Sequence, residues 1–173
     1  FGGSGEVEDL AVTIQPPVAG PFSFTGGVSI DADANGARAV AVADMDHDGD
    51  ADIVGAAFFG DSVYLYKNSG NLASPAFNRV LIGNDVDGAT DLAIADLDGD
   101  GLLDIAVAAY HDDEVFWYRN EGSSNFTRML GCSSINGARA VVVGDMDGDG
   151  DQDVVCAAAQ ANSVYWLERR QGF

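Results

Sequence analysis

The chain has 173 residues, 28 acids against 8 bases, and a formal charge of −20. That length suits one domain with a real core, and 47% apolar residues is ordinary for a folded protein. The acidity argues against nucleic acid or an anionic membrane as partner, since both need clustered Lys and Arg.

In chain order, residues 1–23 read as a degenerate strand and linker of a preceding unit. Asp9 to Ile14, shifted by 52, falls on Asp61 to Tyr66. Three repeats follow, at about 24–75, 76–124 and 125–173. Each opens on a short segment: Phe24 to Ile30, Phe77 to Ile82 and Phe126 to Leu130. Next comes a small-residue run: Gly36 to Ala43, Gly88 to Ala95 and Gly137 to Gly144. An acidic nonapeptide follows each run. Beyond it stand Ile53 to Ala57, Ile105 to Ala109 and Val154 to Ala158, then the aromatic runs Ser62 to Tyr66, Glu114 to Tyr118 and Ser163 to Leu167. All are short, bounded by Gly, Asn or Asp, and without helical period, so they read as strands. The Ala- and Val-rich runs suit a crowded position and the aromatic ones a wider gap.

The nonapeptides are Asp44 to Asp52, Asp96 to Asp104 and Asp145 to Asp153, and all fit D-x-D-x-D-G-x-x-D. Alternate carboxylates before a glycine let a tight loop wrap one hard cation, and oxygen-only ligands suit calcium over magnesium. Three such ions would add +6 and bring −20 to −14. An EF-hand needs Glu at loop position twelve and flanking helices. Position twelve is Gly55, Val107 and Cys156, so EF-hand sensing and dockerin-like pairs fail.

Four short strands per unit of about 50 residues is the pattern of a propeller blade. The expected fold is therefore all-β: about three four-stranded propeller-type blades in an incomplete β-propeller or arc. Rings need about 4–8 blades, so open apolar faces should be covered by further blades or a protein partner.

These residues resemble the FG-GAP/VCBS-type calcium-binding β-propeller repeats, the family that includes the integrin α-subunit propeller, over about residues 24–170. The match is closer to the shorter VCBS-like version. The resemblance implies side-chain ligands from Asp44, Asp46, Asp48 and Asp52, from Asp96, Asp98, Asp100 and Asp104, and from Asp145, Asp147, Asp149 and Asp153. It implies backbone carbonyl ligands from Asp50, Leu102 and Asp151, and about three Ca²⁺ ions.

Other features read blandly. His47 points to solvent and His111 sits in a polar turn. No Ser/His/Asp arrangement assembles. Tyr64, Tyr66, Phe116, Trp117, Tyr118, Tyr165 and Trp166 recur at equivalent positions and read as packing between blades, with a sugar platform as the rival. Arg38 and Arg139 share a repeat position and are expected to pair with nearby carboxylates, not with an anionic ligand. Cys132 and Cys156 either pair or stay free thiols, and Asn125-Phe126-Thr127 is a glycosylation sequon. No apolar run spans a bilayer. The lack of an initiator Met or signal-like segment reads as processing, or as part of a longer chain.

Function is therefore expected to be a calcium-stabilised structural and interaction module, part of a larger assembly or longer propeller. It is expected not to be an enzyme, and to work in an extracellular, cell-surface or lumenal setting, where calcium is plentiful. A carbohydrate-binding or polysaccharide-processing propeller is the alternative.

Overall fold

A computed structural model of the chain describes residues 27–71 and 76–170. The strand expected at Asp9 to Ile14 lies outside these residues, as do positions 24–26 of the segment Phe24 to Ile30; residues 27–30 form no strand.

The described residues hold eleven strands in three antiparallel sheets. The first is a meander of β1 (Ala37–Ala43), β2 (Asp52–Ala57), β3 (Ser62–Asn68) and β4 (Phe77–Gly83). The second repeats it with β5 (Ala89–Ala95), β6 (Asp104–Ala109), β7 (Glu114–Asn120) and β8 (Phe126–Ser133). The third has β9 (Ala138–Gly144), β10 (Asp153–Ala158) and β11 (Ser163–Leu167). This is the all-β, open arc of blade-like sheets expected from the repeats.

The sheets and the sequence repeats are offset by one strand. β4 pairs with β3, so the first sheet takes its last strand from the segment that opens the second repeat. β8 pairs with β7 in the same way. The repeat boundaries 75/76 and 124/125 thus fall between the third and fourth strands of a sheet.

The small-residue strands converge: β5 lies beside both β1 and β9. Alanine and valine admit that approach where larger side chains would clash. Alternation along each strand then feeds two cores. One, between the first and second sheets, takes Val54, Val63 and Leu65 from one side and Ile105, Val107, Phe116 and Tyr118 from the other. The other, between the second and third, takes Ala106, Val115 and Trp117 against Val141, Cys156 and Tyr165. Fully burying a side chain of this size is worth about 2 kcal/mol.

The terminal sheets keep one face open. Val142, Val155 and Trp166 align across the third sheet, with Val142 59% and Trp166 51% exposed. Val40 and Val42 project at 71% and 64% exposure from the first. Trp117, the repeat partner of Trp166, packs inside because a further sheet covers it.

A polar staple recurs on the faces that look back along the chain. The Tyr66 hydroxyl donates to Asp31 at 2.8 Å and Arg79 pairs with the same carboxylate. In the second sheet Tyr118 donates to Asp85 at 2.9 Å and Arg128 joins it. Burial comes first in pushing both phenols up, with the adjacent Asp adding to it. Each arginine also covers an aromatic ring, Arg79 on Tyr64 and Arg128 on Phe116.

Strand β8 bulges against β7, because Val115 pairs with Cys132 while Trp117 pairs with Met129. Leu130 and Gly131 therefore share the single partner Phe116, as a β-bulge requires. A Cβ on Gly131 would stand 1.8 Å from Val115 O and 2.6 Å from the Phe116 Cα, both backbone atoms. Gly131→Ala is expected to destabilise by about 3 kcal/mol through forced backbone displacement. Gly144→Ala, whose Cβ meets nothing within 4 Å, should stay within about 1 kcal/mol. Urea unfolding of the two variants compares them, and equal midpoints would refute the steric account.

Candidate metal centres

Each acidic nonapeptide joins the first two strands of a sheet: Asp44 to Asp52 between β1 and β2, Asp96 to Asp104 between β5 and β6, and Asp145 to Asp153 between β9 and β10. The first Asp of each gathers the turn. Asp44 accepts from the amides of Asp48 and Gly49 at 3.1 and 3.0 Å. Asp96 accepts from Gly99, Asp100 and Gly101 at 2.7, 3.1 and 2.9 Å. Asp145 accepts from Gly148 and Gly150 at 2.7 and 3.0 Å. The sixth-position glycines make this possible, because Gly49, Gly101 and Gly150 sit at φ 93°, 89° and 94°. His47 takes φ 58° at the fourth position, where the other loops have Gly99 and Gly148, and it is exposed as expected.

The seventh residues, Asp50, Leu102 and Asp151, donate their amides to the fifth-position carboxylates of Asp48, Asp100 and Asp149 at 2.9, 2.8 and 2.9 Å. The ninth residues are buried. Asp52 and Asp104 are 0% exposed and Asp153 is 1%. Each bridges two backbone amides: Met45 and Asn68 for Asp52, Leu97 and Asn120 for Asp104, Met146 and Arg169 for Asp153. The Trp166 indole also donates to Asp153 at 3.0 Å.

The carboxylates converge in all three turns. Asp44, Asp46 and Asp48 bring oxygens within 4.8 Å of one another, as do Asp96, Asp98 and Asp104, and Asp145, Asp147 and Asp149. Like charges this close repel strongly unless a cation lies among them. Asp46 Oδ1 is the sharpest sign: it is buried and, among the described residues, has no hydrogen-bond partner. A buried carboxylate oxygen without a donor is costly, and a hard cation would satisfy it. The all-oxygen donor set fits such an ion.

The turns differ electrostatically. Burial pushes Asp104 up to about 6 and also raises Asp52. The Lys67 ammonium, paired with Asp46, lowers that carboxyl. The Arg169 amide, followed by the Trp166 indole, lowers Asp153.

Sequence reasoning missed the residues that finish each turn from the far strand. Asn68, Asn120 and Arg169 each stand 16 residues past the ninth-position Asp, a regular spacing that an alignment of the repeats exposes. Two of them also reach the preceding turn's neighbourhood. Asn120 Nδ2 donates to Met45 O at 3.0 Å, and Arg169 Nη2 donates to Asp98 O at 2.7 Å. Arg169 further pairs with Asp151 at 2.9 Å.

Elsewhere the expectations meet mixed outcomes. His111 lies in its turn against Asp87 at 2.8 Å. Cys132 and Cys156 are both free thiols, the second buried. Asn125 is exposed. Arg38 and Arg139 pair with no carboxylate among the described residues, against expectation; the Arg38 guanidinium stands over the Phe58 ring instead. No helix among the described residues is long and apolar enough to cross a membrane.

Stacked sheets of three or four strands with a repeated acid turn define a repeat-based module of the propeller type. Residues 96–156 match the family described as FG-GAP-like repeat, a stretch that runs from the second acid turn through the third to Cys156. No curated protein matches the chain.

Proposed function

We propose that this chain is a calcium-stabilised interaction module without catalytic activity, whose turns bind about three Ca²⁺ ions and whose open sheet faces receive further blades or a protein partner. The orphaned Asp46 Oδ1, within a carboxylate cluster of a kind that two other turns also form, carries the reading. Side-chain donors would be Asp44, Asp46, Asp48 and Asp52 in the first turn, with the equivalent acids in the others. Asp50, Leu102 and Asp151 would offer carbonyls. Bound calcium would neutralise charge that otherwise strains the connection between two inner strands. The apolar rows at Val142, Val155 and Trp166 and at Val40 and Val42 suit burial against another surface. The FG-GAP-like match and the millimolar range of many extracellular calcium modules favour an extracellular, cell-surface or lumenal setting.

Calorimetric titration of EGTA-stripped protein tests it. Three calcium sites are expected, one lost with each of Asp44→Asn, Asp96→Asn and Asp145→Asn. Absence of calcium heat in the stripped, folded chain defeats the proposal.

The middle turn adds a pH signature. Asp104 is raised from 3.8 to about 6, so the metal-free fold holds a proton there that the unfolded chain has lost. Metal-free stability therefore falls as pH rises across about 4 to 6 and levels off above. Calcium competes with that proton, so middle-turn affinity should rise about tenfold from pH 5 to pH 7. Titrating the Asp44→Asn/Asp145→Asn double variant at both pH values measures it, and a flat profile would remove Asp104 from the ligand set.

A further inference from the structure

We infer that the end of the arc opposite the acid turns carries a carboxylate-binding recess for an acidic, partly apolar segment of a partner protein. The inference rests on reading the chain as an interaction module, and it names the chemistry of the partner.

Six of the eight bases are tied to carboxylates: Lys67, Arg79, Arg119, Arg128, Arg169 and Arg170. Arg38 and Arg139 alone have no ion pair among the described residues, in a chain with 28 acids. Both are exposed, and both head an innermost strand, where the middle sheet has Thr90. They line one recess of about 220 Å³ together with Thr90, Phe58 and Tyr110.

Five acids of this end make other bonds. Asp61 accepts from the Gly88 amide, Asp112 from Asp87, and Asp113 from Gly137. Asp87 holds His111, and Asp91, next to Thr90, accepts from the Val141 amide. The acid turns lie at the other end of seven-residue strands, about 20 Å away at 3.3 Å per residue. That exceeds the ~8 Å screening length at physiological salt, so they do not neutralise the two guanidiniums.

Their surroundings favour a partner's side chain over a free small ligand. A recess of this size is below the ~300 Å³ of ordinary ligand pockets but admits one acidic side chain. The Arg38 guanidinium stands 5.1 Å from the Phe58 ring centre, which restrains it. Phe59, 71% exposed, packs edge-on against Phe58 and offers an apolar contact beside the recess. Arginine with aromatic neighbours is the composition of interface anchors. Two forks facing one space suit bidentate capture of a carboxylate.

Fluorescence anisotropy with a labelled alternating Glu-Leu octapeptide, in excess calcium, tests this. Binding is expected, with at least about tenfold loss in Arg38→Gln and in Arg139→Gln, and partial loss in Arg38→Lys, which keeps the charge but not the fork. Arg170→Gln, an equal charge change at an exposed pair, should stay within twofold, and the matched Gln-Leu peptide should not bind. Failure of the Glu-Leu peptide, an equal loss in Arg170→Gln, or binding of trigalacturonate in its place would overturn the inference. Thermal melts confirm that each variant folds. Three calcium sites with no peptide binding would sink this inference and leave the module reading standing.

Discussion

Excess chelator is expected to lower the melting temperature by about 15–30 °C relative to a calcium-saturated sample. An ion at 100 times its dissociation constant stabilises the native state by about 2.7 kcal/mol, and three independent ions by about 8 kcal/mol. For a chain of this size each kcal/mol moves the midpoint by about 2–4 °C. The expectation rests on the acid turns. Without a cation, three carboxylates share a space of 4.8 Å in each turn, and the buried Asp46 Oδ1 faces no donor. Differential scanning calorimetry with and without EGTA reads the shift. Superimposed transitions would mean that the turns hold themselves.

Asp104→Ala should be the most damaging single change in the acid turns, at about 3–5 kcal/mol even in chelator. Asp104 is 0% exposed and accepts from Leu97 N and Asn120 N, each at 2.8 Å. Its removal strands two amides in the interior, at about 1–3 kcal/mol each, and leaves a gap. Raised to about 6, the group is less stabilising as a charge than as an acceptor, so the loss should persist at pH 5. Asp98→Ala provides the contrast. It removes a candidate ligand that accepts, among the described residues, one amide bond, from Asp100, which is long and exposed. Its cost in chelator should be below about 1 kcal/mol, while its calcium affinity collapses. Urea unfolding in EGTA separates the two roles, and equal losses would mean that the ninth position is no more structural than the third.

The strands were legible in the sequence because each physical demand recurs three times. Convergence selects alanine with other aliphatic residues in β1, β5 and β9, while the wider gap selects the aromatic run of β3, β7 and β11. The acid turns were legible for the same reason: four or five neighbouring carboxylates recur in one register at each connection between the first two strands of a sheet. The phase of the sheets was hidden, because a repeat has no intrinsic first strand. Only the pairing of β4 with β3 shows that Phe77 to Gly83 closes the sheet before it. Asn68 and Asn120 were hidden because neutral residues at strand ends carry no charge signal. The pairing expected for Arg38 and Arg139 rested on the abundance of acids, and abundance does not tell which carboxylates the fold brings within reach of a strand's start. Trp117 and Trp166 show a last limit, since identical positions differ in exposure according to which neighbour sheet covers them.

Two of the long polar reaches have a bearing on how the chain is made. The Asn120 amide that steadies Met45 lies 75 residues after it, and the Arg169 guanidinium that steadies Asp98 lies 71 residues after it. On the ribosome, therefore, an early turn emerges before the group that secures its flank has been synthesised. Each unit is finished by its successor, and a duplication or deletion that kept a nonapeptide but dropped the following unit would leave an unsupported turn at the cut.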